Sequence, residues 1–213
     1  QIFTHRFSAR QTSIIAGSGI SVPKTMPVYR KAGARVRFLC LARLLADKGI
    51  YELIGAARLL SNMAIEIVIA GSIDPQNPSS LTQAEVDEFA KLANVTFMGH
   101  IADTTALEAD VFILPSHREG LPKALLEGAA LAKPLIAADA PGSRDICIHE
   151  ETGLLVPIND ASALAEAIRI LAQDARLRKK LGENAWHLVQ KKFSETIIGG
   201  EITALYKQLL TTR

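Results

Sequence analysis

Two glutamates flank a Gly-Leu-Pro turn near the middle of the chain, in the stretch EGLPKALLE, which begins at Glu119 and ends at Glu127. Pro122 suits the first position of a helix. The backbone N–H groups of Gly120 and Leu121 would then lie at a helix N-terminus, where unsatisfied donors and the helix dipole attract anions. A carboxylate accepts hydroxyl hydrogen bonds well, so each glutamate suits a ribose or a sugar. Glu119 precedes the helix and Glu127 lies about one and a half turns inside it, so they can address different ends of one ligand.

A pair of cations lies upstream in the stretch ARLLADKG. Arg43 follows a predicted strand and Lys48 begins a predicted helix, so both charges can point above one edge of the sheet. Arg suits bidentate phosphate contacts, and Lys acts as a point charge. Such a pair taken alone is most simply exposed surface charge. A cation pair and a helix N-terminus that face one crevice predict a diphosphate site.

Apolar runs alternate with helical periodicity along the chain, and this alternation positions the loops that carry these residues. Strands are predicted at 36–42, 64–71, 94–99, 110–115, 133–139 and 153–156, and helices at 48–61, 82–92, from Pro122 onward and along the tail at 161–212. Nearly continuous apolar strands separated by helices indicate an α/β fold, a Rossmann-like doubly wound parallel sheet. Ligands of such sheets bind beyond the carboxyl ends of the strands. The predicted site therefore lies among the loops that follow residues 42, 71, 99, 115 and 139.

Composition and motif searches exclude several classes of function. The net charge of +2 and the aromatic content of 5% give no case for a nucleic-acid partner. Cys40 and Cys147 form no CxxC or Cys/His group, which suits a reducing compartment. His100, His117 and His149 have no Cys or acidic partner at ligand spacing, and no D-x-D motif is present, so we expect no metal and no cofactor. The stretch IIAGSGIS is not a full G-x-G-x-x-G and does not lead from a strand into a helix, so a dinucleotide site is rejected.

Three segments follow from the patterning. Residues 1–34 lack clean periodicity and contain several glycines and prolines, which is typical of an interdomain connection with a remnant of a preceding domain. Residues 35–192 form the predicted Rossmann-like domain, and residues 193–213 a C-terminal helix. Because the chain begins with Gln rather than Met, we expect a fragment of a longer protein.

These motifs together resemble family 4 of the retaining glycosyltransferases, which have the GT-B fold. ARLLADKG resembles the family segment G-R-L-x-x-x-K-G, with Ala42 in place of the glycine, and EGLPKALLE matches its E-x7-E motif. EGAALAKPLIAADAPGSRDIC and TGLLVP continue the match. IIAGSGIS resembles the interdomain segment, with Ser21 where an acid is common. GSIDPQNPSS is similar to transferases of capsule, O-antigen and other surface polysaccharides.

The resemblance implies a role for each predicted site residue. Arg43 and Lys48 would bind the donor diphosphate and steady the leaving group, Glu119 would contact the sugar hydroxyls, and Glu127 would hold the ribose. The backbone near Gly120 and Leu121 would meet the phosphate or the sugar. The base would lie beside His100 and Ile101. Catalysis in this family needs no metal and retains the anomeric configuration.

The resemblance also implies the partners. The chain is similar to the C-terminal, donor-binding half of a two-domain enzyme, so a nucleoside-diphosphate sugar is the expected donor. A glycan or lipid-linked acceptor would bind mainly to the other domain, and the isolated domain is expected to be inactive. We expect a cytoplasmic protein, and for the full-length enzyme a peripheral association with the inner face of the plasma membrane.

Two alternatives stay open. A non-catalytic nucleotide-sugar-binding module would show the same donor site, and another GT-B enzyme such as a sugar-nucleotide epimerase would share the fold. A phosphorylase would need a pyridoxal-phosphate lysine motif, which the sequence does not show. The donor base, the sugar, the acceptor and the linkage are not determined by these motifs.

Overall fold

The computed structural model describes residues 13–28, 33–101 and 108–211. Its centre is a six-stranded sheet in the order β3-β2-β1-β4-β5-β6, and every neighbouring pair is parallel. The strands are β1 Val36–Leu41, β2 Ile65–Ala70, β3 Val95–Gly99, β4 Val111–Leu114, β5 Leu135–Ala138 and β6 Gly153–Val156. All six predicted strands are confirmed, with ends that move by one or two residues. The predicted α/β, doubly wound parallel fold is confirmed as well.

The helices follow the strands along the chain. A 3-10 turn at Ala46–Lys48 leads into α1 Ile50–Leu59, and the others are α2 Gln83–Phe89, α3 Lys123–Ala130, α4 Ala161–Gln173, α5 Ala175–Lys192 and α6 Glu195–Thr211. The Asp160 carboxylate accepts a hydrogen bond from the Ala163 N–H at 2.8 Å and caps α4, as predicted. The tail, which was predicted to be helical, contains three helices. Asp174 ends α4 and caps α5, because its carboxylate accepts from the Leu177 N–H at 2.8 Å.

The sheet is covered on both faces, and β1 shows how the sequence achieves it. Successive side chains of a strand point to opposite faces. Phe38 and Cys40 lie in a core with α1, α2 and α4, whereas Leu39 lies in a second core with α3 and α5. All three side chains are buried. A strand buried on both sides has no polar face, which explains why these runs read as continuously apolar.

The side on which successive strands are added to the sheet reverses between β1 and β4. Strands β2 and β3 extend to one side of β1, and β4, β5 and β6 extend to the other. At such a switch point the loops that leave neighbouring strands turn to opposite faces and open a crevice above the sheet edge. The loops after β1 and β4, which carry Arg43, Lys48 and Glu119, therefore flank this crevice.

The segment before β1 and the last helix meet at one point. Residues 13–28 contain no helix or strand, but Ile20 and Ser194 form an isolated parallel bridge. The Ile20 N–H donates to the Phe193 carbonyl at 2.9 Å, and the Glu195 N–H donates to the Ile20 carbonyl at 3.0 Å. Helix α6 then continues with Ile198 as its buried residue. Within the described residues, no helix combines the length and the hydropathy needed to cross a bilayer.

Candidate functional site

An open cleft of about 250 Å³ lies at the carboxyl edge of the sheet, beside the switch point. Four of the predicted site residues line it, namely Arg43, His100, Ile101 and Glu127. The other lining residues were not predicted as site residues; they are Leu41, Ala42, Ala70, Gly71, Ser72 and Ala124. Most of these are small or contribute backbone, and residue type gives no signal for such positions. The cleft thus joins the ends of β1, β2 and β3 to the first turns of α3.

Gly71 shows why a small residue is needed at the end of β2. A Cβ atom at this position would lie 1.8 Å from the carbonyl oxygen of Ala42, at the end of β1. No side chain fits between two backbones at that separation. Gly71 therefore lets the loops after β1 and β2 approach each other and form one wall of the cleft.

Arg43 points its guanidinium at a carboxylate from the neighbouring loop. Its Nη1 lies 2.7 Å from Oδ2 of Asp74, in the loop that follows β2. Both side chains remain partly exposed. Arg43 was predicted to bind phosphate, and no counter-ion was predicted for it. Asp74 stands in a segment with the composition of an ordinary turn, so residue type gave no warning of this contact.

Lys48 and Glu119 form an ion pair with each other. Lys48 Nζ lies 2.7 Å from Glu119 Oε1, and the two side chains are 20% and 15% exposed. The prediction that Lys48 and Arg43 point at one place above the sheet did not include these carboxylate partners. Each cation instead pairs with a different carboxylate, because a carboxylate from the neighbouring loop lies within reach of each. Neither Lys48 nor Glu119 is among the residues that line the cleft.

The loops after β1 and β4 are fixed against each other. Gly49 has a left-handed φ of 73°, and a Cβ atom there would lie 2.1 Å from the Pro115 carbonyl oxygen. The His117 N–H donates to the Asp47 carbonyl at 2.9 Å, and His117 Nε2 lies 3.1 Å from Glu52 Oε1. Sequence spacing showed no acidic partner for His117, because Glu52 belongs to a different element. These contacts hold the loop that carries Glu119 against the turn that carries Lys48.

Helix α3 begins one residue later than predicted. Pro122 is its N-cap, with an extended backbone at φ −72° and ψ 112°, and Lys123 is the first helical residue. The first N–H groups of a helix have no partner inside it. The helix donors nearest the cleft are therefore those of Lys123 and Ala124, and Ala124 lines it. Gly120 and Leu121 belong to the preceding loop, so the predicted anion-binding donors move into the first turn.

Gly120 and Leu121 make packing contacts that the sequence did not reveal. A Cβ atom on Gly142, whose φ is 81°, would lie 2.0 Å from the Gly120 carbonyl oxygen. A Cβ atom on Gly17 would lie 2.7 Å from Leu121 Cδ2. The loop before α3 therefore touches both the loop after β5 and the segment that precedes β1.

Glu127 lies inside α3 and reaches the cleft, as predicted. Its side chain is 20% exposed, and Lys123 Nζ lies 3.6 Å from its Oε1 across one helical turn. Leu41 and Ala42, at the end of β1, line the same cleft. The carboxylate is thus set beside the first-strand edge by a buried helix rather than by a loop.

Two buried thiols have strongly raised pKa values. Burial raises the pKa of Cys40 to about 12, and the nearby charge of Lys48 acts in the opposite direction. Burial likewise raises the pKa of Cys147 to about 12. Such thiols stay protonated near neutral pH and are poor nucleophiles. Within residues 13–28, 33–101 and 108–211, no group of three or more His, Cys, Asp or Glu residues could hold a metal ion. Metal independence stays a prediction.

Most of the described chain matches a known protein family. A family model described as "Glycosyl transferases group 1" matches residues 22–187. The capsular polysaccharide biosynthesis glycosyltransferase CapM of Staphylococcus aureus is 31% identical over 80% of this chain and 45% of its own length. A Campylobacter jejuni enzyme, N,N'-diacetylbacillosaminyl-diphospho-undecaprenol alpha-1,3-N-acetylgalactosaminyltransferase, is 28% identical over 92% of this chain and 54% of its own length. The chain spans about half the length of these curated relatives.

Solved structures share the fold. Sucrose-phosphate synthase from Thermosynechococcus elongatus superposes with a TM-score of 0.82 and 27% identity, over 100% of this chain and 56% of its own. HepE from Anabaena, crystallised in complex with UDP, superposes with a TM-score of 0.73 and 21% identity, over 82% of this chain and 49% of its own. These structural neighbours are GT-B glycosyltransferases.

Proposed function

The chain belongs to the group 1 glycosyl transferases, and on this premise we propose that it is the donor-binding domain of a retaining glycosyltransferase. One observation carries the proposal. Arg43 and Glu127 line the same cleft, at the crevice where the sheet order reverses. A cation at the rim and a carboxylate in the wall match the two polar parts of a nucleoside diphosphate, which are the phosphates and the ribose.

The cleft suggests an orientation for the donor. Glu127 accepts the ribose hydroxyls, and His100 and Ile101 form the wall beside the base. Arg43 and the N–H groups of the first turn of α3 meet the diphosphate, because both present positive charge to the cleft. The sugar extends toward the ion pair of Lys48 and Glu119, which lies outside the cleft lining.

The ion pair supplies the two groups that sugar transfer requires. Negative charge grows on the diphosphate as the glycosidic bond breaks, and fixed cations stabilise that charge. Lys48 moves its charge from Glu119 toward the leaving phosphate, and the released Glu119 carboxylate accepts hydroxyls of the sugar. Lys48 and Glu119 are therefore coupled. The cations and the helix N–H groups stabilise the negative charge of the diphosphate, which other transferases stabilise with a metal ion. Donor binding therefore requires no metal ion.

The acceptor belongs to the other half of the enzyme. The curated relatives are about twice as long as this chain, and the names of two of them refer to capsular polysaccharide and to an undecaprenol-linked glycan. We therefore infer a glycan or lipid-linked acceptor that binds mainly to a second domain, with the full-length enzyme at the inner face of the plasma membrane. The 213-residue chain should bind the donor without transferring the sugar.

Calorimetry of the 213-residue chain with UDP, GDP and ADP in EDTA tests the donor site. We expect at least one of the three to bind without divalent metal. Glu127→Gln should weaken that binding about tenfold or more, since a charge-assisted hydrogen bond is lost. Glu183→Gln is the matched control, because Glu183 lies on α5 and pairs with Lys179 at 3.7 Å, away from the cleft. Equal behaviour of the two variants, or binding only with magnesium or manganese, would contradict the proposal.

Glu119→Gln separates the roles of the two glutamates. It should leave nucleoside diphosphate affinity unchanged or slightly tighter, because Lys48 loses its counter-ion. It should reduce sugar transfer in the protein that carries both domains. A loss of nucleoside diphosphate as large as that of Glu127→Gln would show that this division of roles is wrong.

A further inference from the structure

Asp74 is paired with Arg43, the cation that the proposed donor site offers to the diphosphate. Arg43 Nη1 lies 2.7 Å from Asp74 Oδ2, and Arg43 also lines the cleft. The contact is both a hydrogen bond and an ion pair. The guanidinium therefore stands at the rim of the anion site already neutralised by a carboxylate of the same chain.

Hydrogen bonds hold the loop that carries Asp74 against the loop that follows β1. The Asp74 N–H donates to Ser80 Oγ at 2.9 Å, and Ser80 Oγ in turn donates to the Leu44 carbonyl at 3.3 Å. The Leu81 N–H donates to the same Leu44 carbonyl at 2.8 Å. These bonds tie the loop after β2 to the residue that follows Arg43. The position of Asp74 is thus set by backbone contacts that do not involve its own carboxylate.

We propose that Asp74 is the internal counter-ion of Arg43 and sets the affinity of this site for phosphoryl ligands, which deepens the proposed function and rests on it. An incoming diphosphate displaces the Asp74 carboxylate from Arg43. A ligand gains from Arg43 only the difference between its own contact and the one it replaces. Weak anions gain nothing, whereas a diphosphate, with more charge and more acceptor oxygens, out-competes the carboxylate.

The exposure of the pair limits the size of the effect. The Arg43 and Asp74 side chains are 58% and 29% exposed, and solvent weakens ion pairs of this kind. Asp74→Asn should therefore tighten binding of inorganic pyrophosphate and of UDP by about two- to fivefold. The same substitution in an Arg43→Gln background should give no gain, because the contested cation is gone.

The experiment is calorimetry of wild type, Asp74→Asn, Arg43→Gln and the double variant, with pyrophosphate and with UDP. Asp87→Asn is the matched control, since it removes the same charge from an exposed position on α2 where Asp87 accepts from Gln83 at 2.8 Å. Circular dichroism melts confirm that every variant is folded. Asp74→Ser provides a second, shorter neutral replacement.

Each outcome is decisive. Tighter binding of both ligands by Asp74→Asn and Asp74→Ser, lost in the Arg43→Gln background, supports the proposal. Tighter pyrophosphate binding, with no UDP, GDP or ADP bound by any protein, supports the counter-ion but refutes the nucleotide site. Weaker or unchanged binding by Asp74→Asn, with UDP bound by wild type, overturns the counter-ion and leaves the proposed function standing. Absence of binding by all proteins overturns both.

Discussion

Removal of one charge from the Lys48–Glu119 pair should destabilise the fold, and removal of both should restore part of the loss. The perturbation is Lys48→Met, which keeps the apolar stem and deletes the ammonium group. It leaves Glu119 without the partner that lies 2.7 Å away. Glu119→Gln is the reciprocal change. The double variant leaves no unpaired charge, so its free energy of unfolding should exceed the value expected from the sum of the single changes.

The magnitude follows from distance and exposure. Two unit charges separated by 2.7 Å attract each other by about 6 kcal/mol at an effective dielectric constant of about 20, before desolvation is subtracted. Exposed pairs contribute about 0–1 kcal/mol. Removal of one partner from a fully buried pair costs about 3–5 kcal/mol. With side chains 20% and 15% exposed, Lys48→Met should cost about 1–3 kcal/mol.

Urea unfolding followed by circular dichroism measures the four free energies of the cycle. In a thermal melt, each kcal/mol should shift Tm by about 2–4 °C for a chain of this size. Lys179→Met is the matched control, because Lys179 pairs with Glu183 at 3.7 Å on an exposed helix face with side chains 55% and 38% exposed. That change should cost less than about 0.5 kcal/mol.

Additive single changes would refute the reasoning. If Lys48→Met and Glu119→Gln show no coupling, the ion pair does not form in solution. A loss for Lys179→Met as large as that for Lys48→Met would show that the cost comes from the lysine stem or from helix propensity rather than from the partly buried pair.

Two further predictions concern the interior and a tight turn. Because burial raises the pKa of Cys40 and Cys147 from 9.0 to about 12, the folded chain keeps protons that the unfolded chain releases. The contribution of the two thiols to the free energy of unfolding should be fully present below about pH 9 and fall toward pH 12. For each thiol, the unfolding constant should rise by up to about tenfold per pH unit in this range. The double Cys→Ala variant should lose less free energy of unfolding over the same range, as measured by urea melts. Gly142→Ala should cost more than about 1 kcal/mol, because φ is 81° and the new Cβ would lie 2.0 Å from the Gly120 carbonyl oxygen. Gly199→Ala, where nothing lies within 4 Å of the added atom in α6, should be neutral or stabilising in the same melts; equal losses for the two glycines would contradict the steric argument.

The sheet and the edge that carries the site could be predicted because burial leaves a pattern along the chain. A parallel strand covered on both faces must be apolar at successive positions, and Phe38, Leu39 and Cys40 show this in a run bounded by charges. Once strands alternate with helices, the rule that ligands bind beyond the carboxyl ends selects the loops. Arg43 could be assigned to the site for this reason, whereas Glu127 was assigned from its position inside the helix that follows β4.

The ion-pair partners could not be predicted in the same way. Asp74 pairs with Arg43, and Glu52 with His117, across separations set by the order of strands in space. Neither composition nor periodicity indicates which neighbouring group a loop side chain will contact. The start of α3 was misplaced for a local reason: the fixed φ of Pro122 fits both the first helical position and the N-cap, and ψ alone distinguishes them.

The bridge between Ile20 and Ser194 makes the segment between these residues suitable for exchange with the same segment of a relative. The backbone at Ile20, ahead of β1, and the backbone beside Ser194, ahead of α6, lie within hydrogen-bond distance of each other. A chimera that replaces residues 21–193 therefore has both splice points in one small patch of surface, and the contact between Gly17 and Leu121 must match as well. This patch requires a glycine at position 19, since a Cβ atom on Gly19 would lie 2.8 Å from the Cα atom of Glu195. Chimeras of this kind should keep a glycine at position 19, because a larger residue there would collide with the start of α6 at the joint.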